Sequence, residues 1–148
     1  MHLNNYKKTN VISKADAAYL AGLIDGEGTI TLVRKHRNEH RQLGVFISST
    51  ERHLLEFAKA VTGVGKITTK KTSKSNHSPG FAYAVYNRQA LDLLNSLFPY
   101  LRSYKRDRAK LILKHYLEFT PRNGKYTEDL LVKKGKFEKA VLDTKANG

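Results

Sequence analysis

The chain has 148 residues, about the size of one ordinary domain and enough to bury a single continuous core. Its 27 lysines and arginines against 13 acids leave a formal net charge of +14, a field that repels itself unless a polyanion such as nucleic acid neutralises it. The absence of cysteine excludes disulfides and thiolate zinc sites and suits a reducing intracellular compartment, and no run of about eighteen apolar residues is present to cross a membrane.

Residues 1–12 read as an N-terminal arm, and Met1 to Tyr19 lacks the continuous apolar stretch of a secretory signal. The first helix opens at Ser13, where Ser13-Lys14-Ala15-Asp16 has the capping-box spacing. It is expected to run from Lys14 to about Asp25 and to close in Gly26-Glu27-Gly28. Thr29 to Arg37 and Gln42 to Ser49 then read as β-branched, alternating strands around a charged turn. Thr50 is placed to cap a helix carrying Leu54, Leu55, Ala58 and Val61 at helical spacing, which Gly63 ends. The order starts again with strands Lys66 to Thr72 and Phe81 to Tyr86, joined by the polar loop Ser73 to Gly80. Helices follow over Arg88 to Leu97, stopped at Pro99, and over Lys105 to Phe119. After the Pro121-Arg122-Asn123-Gly124 turn, Thr127 to Leu142 reads as a weaker helix interrupted by Gly135. Residues 13–120 form the expected core, and 121–148 a C-terminal helical extension.

Two hairpins alternating with helices predict an α+β fold, a four-stranded antiparallel sheet with helices on one face. Ile30, Leu32, Val45, Ile47, Ile67, Phe81, Tyr83 and Val85 should point inward. The alternate positions, among them Thr31, Val33, Lys35, Arg37, Gln42, Gly44, Thr68 and Lys70, are largely polar and basic. That uncovered face is either simply solvated or a binding surface, and its length favours binding.

Leu20-Ala21-Gly22-Leu23-Ile24-Asp25-Gly26-Glu27-Gly28 closely resembles the signature nonapeptide of the LAGLIDADG homing endonucleases. The resemblance covers roughly Lys14 to Phe119, because a motif-bearing helix followed by β-β-α-β-β-α is the order of those enzymes. It implies their αββαββα fold with a saddle-like sheet, here followed by a C-terminal helix. It also implies a metal-dependent DNA endonuclease, encoded within an intron, that makes a staggered double-strand cut in a long, nearly palindromic site. A single copy of the motif implies a homodimer, since members with two copies are pseudo-symmetric monomers.

The motif also has a physical reading of its own. Ala18 and Gly22, one helical turn apart, form a stripe of small residues over which two backbones can approach closely. Two such helices about a two-fold axis bring both Gly26-Glu27-Gly28 ends together, with Ala18, Ala21, Gly22 and Asp25 as the expected interface. The paired Glu27 carboxylates then become favourable with divalent cations between them, helped by helix C-terminal carbonyls such as that of Gly26.

By resemblance, Glu27 is the metal-binding acid, standing where the family more often has aspartate and so reaching one methylene further. Asp25 matches the earlier acid, with a structural or secondary role. The implied cofactor is Mg²⁺, with Mn²⁺ or Ca²⁺ able to substitute for binding. Such ions activate water and neutralise charge on the phosphate. Lys105 matches the family's basic residue beside the scissile phosphate, and Ser49 or Arg52 would have to supply the polar group at the end of the second strand.

The expected DNA contacts on the sheet are Thr31, Val33, Lys35, Arg37, Gln42, Thr68 and Lys70, with Lys71, Arg102 and Arg106 as phosphate partners. A ten-residue strand spans roughly 33 Å, so two subunits would read roughly twenty base pairs. The six histidines show no metal-ligand spacing. The partners expected are double-stranded DNA and a second copy of the chain, with no membrane and no small-molecule substrate. A chloroplast, a mitochondrion or bacterial cytoplasm fits the absent presequence. Two other readings stay open: an RNA maturase or non-cleaving DNA-binding regulator on the same fold, and an unrelated basic packaging protein. Retention of an acid at Glu27 argues against pure binding.

Overall fold

A computed structural model of the chain describes residues 6–34, 36–37, 40–70 and 79–146. Helix α1 spans Lys14–Glu27, strands β1 and β2 span Gly28–Val33 and Gln42–Ser49, and α2 spans Arg52–Thr62. Strands β3 (Lys66–Lys70) and β4 (Gly80–Tyr86) follow, then α3 (Asn87–Leu97), a 3-10 turn over Phe98–Tyr100, α4 (Tyr104–Phe119) and α5 (Glu128–Asp143). The four strands form one antiparallel sheet in the order β1-β2-β4-β3, so each hairpin contributes one central strand and one edge.

Local chemistry accounts for most element ends. The Ser13 hydroxyl accepts the Asp16 amide at 3.2 Å, the expected N-cap of α1. Gly63 ends α2 at φ 73, a left-handed conformation that glycine adopts without steric penalty. Thr50 does not cap α2. The N-cap is Glu51, whose side chain makes no cap bond and whose amide donates to Ser49 Oγ at 2.9 Å. Strand β1 stops at Val33 rather than reaching Arg37. Helix α5 runs through Gly135 unbroken, because packing of Phe137 and Val141 into the core outweighs the weak local propensity.

The core lies on one face of the sheet, where Ile30, Leu32, Val45, Ile47, Tyr83 and Val85 are buried against Leu20, Ile24, Leu55, Leu94 and Ile112 of the helices. Ile67 and Phe81, expected inward, are only half-buried, being on or next to the edge strand β3. On the other face Gly44 is buried by its own strand. A Cβ there would lie 2.5 Å from the ring of Phe46, which meets Tyr86 edge-on at 5.5 Å. Helix α5 packs on α4 and β1, so the C-terminal extension shares the single core. Asn10 N donates to Thr62 O, and the Gln89 amide to Lys7 O, tying the arm to α2 and α3.

Candidate active site and nucleic-acid interface

The end of α1 is built by two reciprocal contacts with the start of α4. One Asp25 carboxylate oxygen accepts Arg102 N at 2.8 Å, and the other accepts Ser103 N at 3.1 Å and Ser103 Oγ at 2.5 Å. In return Lys105 Nζ donates to Ile24 O at 2.8 Å and Asp25 O at 2.9 Å. Asp25 O is among the carbonyls that the helix leaves without an amide partner at its C-terminus. Ile24 O also accepts Gly28 N, the last bond of the helix.

Gly28 is required here by space rather than by its dihedrals. A Cβ would fall 2.8 Å from Ile24 Cα and 3.0 Å from Phe46 O, so the helix end and β2 could not close. Glu27 emerges at this junction with its side chain exposed. Burial pushes the Lys105 ammonium below the ordinary lysine value, the Asp25 and Glu27 carboxylates pull it back up, and Arg108 adds to the lowering.

One turn further along α4, the buried guanidinium of Arg108 donates to Ile30 O at 2.9 Å, Thr144 O at 2.7 Å and Leu142 O at 3.3 Å. It thereby joins β1 and the C-terminal end of α5 behind Lys105. The sequence reading missed this role. Its only signal was an arginine on the apolar side of α4, three residues after Lys105.

Ser49 does not stand on the open side of the sheet. The register places it on the helix-covered side with Phe81, and its hydroxyl accepts Glu51 N. Ser48 occupies the open side, one residue beyond the Gly28–Ile47 pair that follows the end of α1. Arg52 is committed elsewhere: it bonds Glu56 at 2.9 Å and lies 5.2 Å over the Phe81 ring.

The pleat carries Thr31, Val33, Gln42, Thr68 and Lys70 to the open face. Thr68 and Lys70 are exposed there, while Thr31, Val33 and Gln42 are half-buried. Thr29, Ser48 and Lys66 share that face and were missed. Strict alternation from Thr31 and Thr68 would have found Thr29 and Lys66. Arg37 is exposed in the β1–β2 connection, and Lys35 and Lys71 lie outside the described residues. Arg102 and Arg106 sit at the α4 start rather than on the sheet, with Arg106 stacked 4.5 Å over Phe98.

Of the four residues expected at an interface, Ala18 and Gly22 are exposed, and a Cβ at Gly22 would meet nothing within 4 Å. Ala21 is fully buried in the chain's own core, because it lies on the α1 face that packs against the sheet. The Asp25 carboxylate is turned inward to α4, as described. Among the described residues no group of three or more histidines or acids gathers. The donors at the motif end are the Glu27 carboxylate and the last α1 carbonyls, hard oxygen ligands of the kind Mg²⁺ and Ca²⁺ take.

A family model described as LAGLIDADG endonuclease matches residues 20–123. No curated protein matches. Among solved structures, the homing endonuclease I-CvuI, in complex with its target in the presence of 2 mM Ca, is 22% identical with a TM-score of 0.71, over 90% of this chain and 83% of that one. The archaeal intron-encoded homing endonuclease I-Vdi141I, complexed with DNA, is 18% identical with a TM-score of 0.60, over 89% of this chain and 85% of that one. The LAGLIDADG meganuclease I-AabMI, bound to uncleaved DNA, is 28% identical with a TM-score of 0.60, over 82% of this chain and 43% of that one. These structures share the α-β-β-α-β-β-α architecture found here, and the family match begins at the first residue of the motif that ends α1. The chain therefore belongs to the LAGLIDADG endonuclease family.

Proposed function

We propose that the protein is a site-specific DNA homing endonuclease that works as a homodimer and depends on divalent cations, Mg²⁺ in the first place. The observation that carries this reading is the exposed Glu27 carboxylate, held at the tip of α1 by the Asp25 and Lys105 contacts, at the edge of the open sheet face. Two α1 helices meeting over Ala18 and Gly22 would bring two such carboxylates together. Open space at Gly22 supports this, since nothing in a single chain requires a glycine there.

Glu27 and the Gly26 carbonyl would hold the cations, which supply an activated water and neutralise the leaving oxygen when bound. Glu27 keeps its own charge outward, toward the phosphates. Lys105 fixes the carbonyl end of α1 and places a positive charge beside the developing phosphorane charge. Thr31, Thr68, Lys66 and Lys70 on the open face contact a flanking groove. Two acids facing opposite strands across a minor groove of about 6 Å yield a staggered cut. Intron encoding, and residence in an organelle or bacterial cytoplasm, complete the proposal.

The test is Mg²⁺-dependent cleavage of a library of symmetric duplexes by the unmodified chain and by Glu27→Gln. The expected result is loss of cleavage by at least about a hundredfold with duplex binding retained. A Glu27→Gln protein that cuts as well as the parent overturns the assignment.

A further inference from the structure

The end of the sheet away from Glu27 holds a cavity that the nuclease reading does not use. Gly28 pairs with Ile47 at the motif end, whereas Val33 pairs with Gln42 at the other, and the five intervening steps of strand span roughly 17 Å. Beyond Gln42, four segments converge on a space of about 560 Å³. They are the start of β2, the β4–α3 junction, the turn after α4, and Tyr6 of the arm. Arg41, Arg88 and Arg122 line it together with His40, and among the described residues no carboxylate does.

Two of these arginines are fixed by backbone. Arg41 donates to Leu32 O at 3.1 Å, and Arg88 to Thr120 O at 2.7 Å and Asn87 Oδ1 at 3.2 Å. Asn87 also accepts the Tyr116 hydroxyl at 2.8 Å, and it does so at φ 58, in the left-handed region uncommon for any residue but glycine. Arg122 is exposed and forms no ion pair among the described residues. The neighbouring Asp92 accepts the Tyr6 hydroxyl at 3.2 Å and lines not this space but an adjoining one, which Arg88 and Arg122 also border. The His40 and Tyr126 rings lie 4.1 Å apart on one side.

We propose that this cavity is a receptor for a phosphate group. Guanidiniums present paired donors that match phosphate oxygens, and three arginines around a space with no carboxylate among its described lining residues favour an anion. The volume falls within the range of roughly 300–1,000 Å³ typical of ligand sites. The adjoining rings offer a face for a base. Such a phosphate can come from a DNA strand running past the stretch read by the sheet, or from a free nucleotide or inorganic phosphate. The proposal holds whether or not the chain cleaves DNA.

The experiment follows the side-chain Nε–Hε signals of Arg88 and Arg122 by NMR in the full chain. It is titrated first with inorganic phosphate against chloride at matched ionic strength, then with a mixed-sequence duplex. A saturable shift of both signals is expected, weakened about tenfold in Arg122→Gln, whose thermal melt should be unchanged because the side chain is exposed. Displacement of phosphate by the duplex identifies a nucleic-acid strand as the natural source. Phosphate binding that persists on the duplex-bound chain identifies a free phosphate compound. The absence of a saturable shift with either probe, or undiminished affinity in Arg122→Gln, overturns the proposal.

Discussion

Asp25 and Lys105 hold each other's helix ends: Asp25 of α1 receives the amides that open α4, and Lys105 of α4 donates to the carbonyls that close α1. Each charge is also favourable to the helix dipole it meets, an anion at an N-terminus and a cation at a C-terminus. The last turn of the motif helix is therefore fixed on both sides, and Glu27, two residues beyond Asp25, inherits that rigidity.

Replacing Asp25 by Asn tests the first half of this exchange. An amide nitrogen in place of one carboxylate oxygen would face the Arg102 or Ser103 N–H donor to donor. Unfolding free energy should fall by about 1–3 kcal/mol. Urea titration monitored by circular dichroism measures it, and an unchanged midpoint would mean that solvent already shares these donors.

Lys105 predicts a pH dependence. Its folded value lies below the ordinary 10.5, so between the two values the unfolded chain binds more protons and this group's contribution to stability rises with pH. Under the proposed function activity should run the other way, because the ammonium is the form that donates to both carbonyls and would oppose phosphate charge. Cleavage should decline on the alkaline side below pH 10.5, and bound cations would move that limb further down. Lys105→Arg, protonated throughout, should shift the limb upward at a reduced plateau, while Lys105→Met should abolish it with the plateau. The pH–rate profiles of the three proteins decide the matter.

Gly22→Leu separates the subunit from the assembly. The position is open within one chain and lies in the middle of α1, where leucine is the better helix former by about 0.8 kcal/mol. The folded monomer should persist while the dimer and its cleavage are lost. Sedimentation velocity on a cognate duplex gives the readout, and a dimer surviving the substitution would place the subunit contact elsewhere.

Arg108→Met removes the donor shared by Ile30, Leu142 and Thr144. The Ile30 carbonyl is buried and would lose its charged partner, costing about 2–4 kcal/mol. Hydrogen exchange should show the last turn of α5 opening first, ahead of α4, because the other two carbonyls anchor only that end.

Much of this architecture could be read locally. Ser13 with Asp16, Gly63 and the period-two run of β1 each act within a few residues, so the element order and the covered sheet face followed from spacing. What escaped was set by distance along the chain. The Asp25–Ser103 and Arg108–Thr144 bonds join residues 78 and 36 positions apart, and no local pattern encodes them. Ala21 escaped for another reason: α1 is apolar or small on most of its circumference, so periodicity could not tell the face that packs on the sheet from the face left open. Ser49 and Ser48 differ by one register step, which only the observed pairing with β4 resolves.

The alternation of β1 has an evolutionary corollary. Ile30 and Leu32 anchor the strand on one side while Thr31 and Val33 face the other, so exchanges at 31 and 33 leave the packing of 30 and 32 untouched. Under the proposed homing function, a surface organised in this way would let preference for one nucleotide sequence drift to another without eroding the scaffold, the freedom a mobile element needs when its host locus mutates.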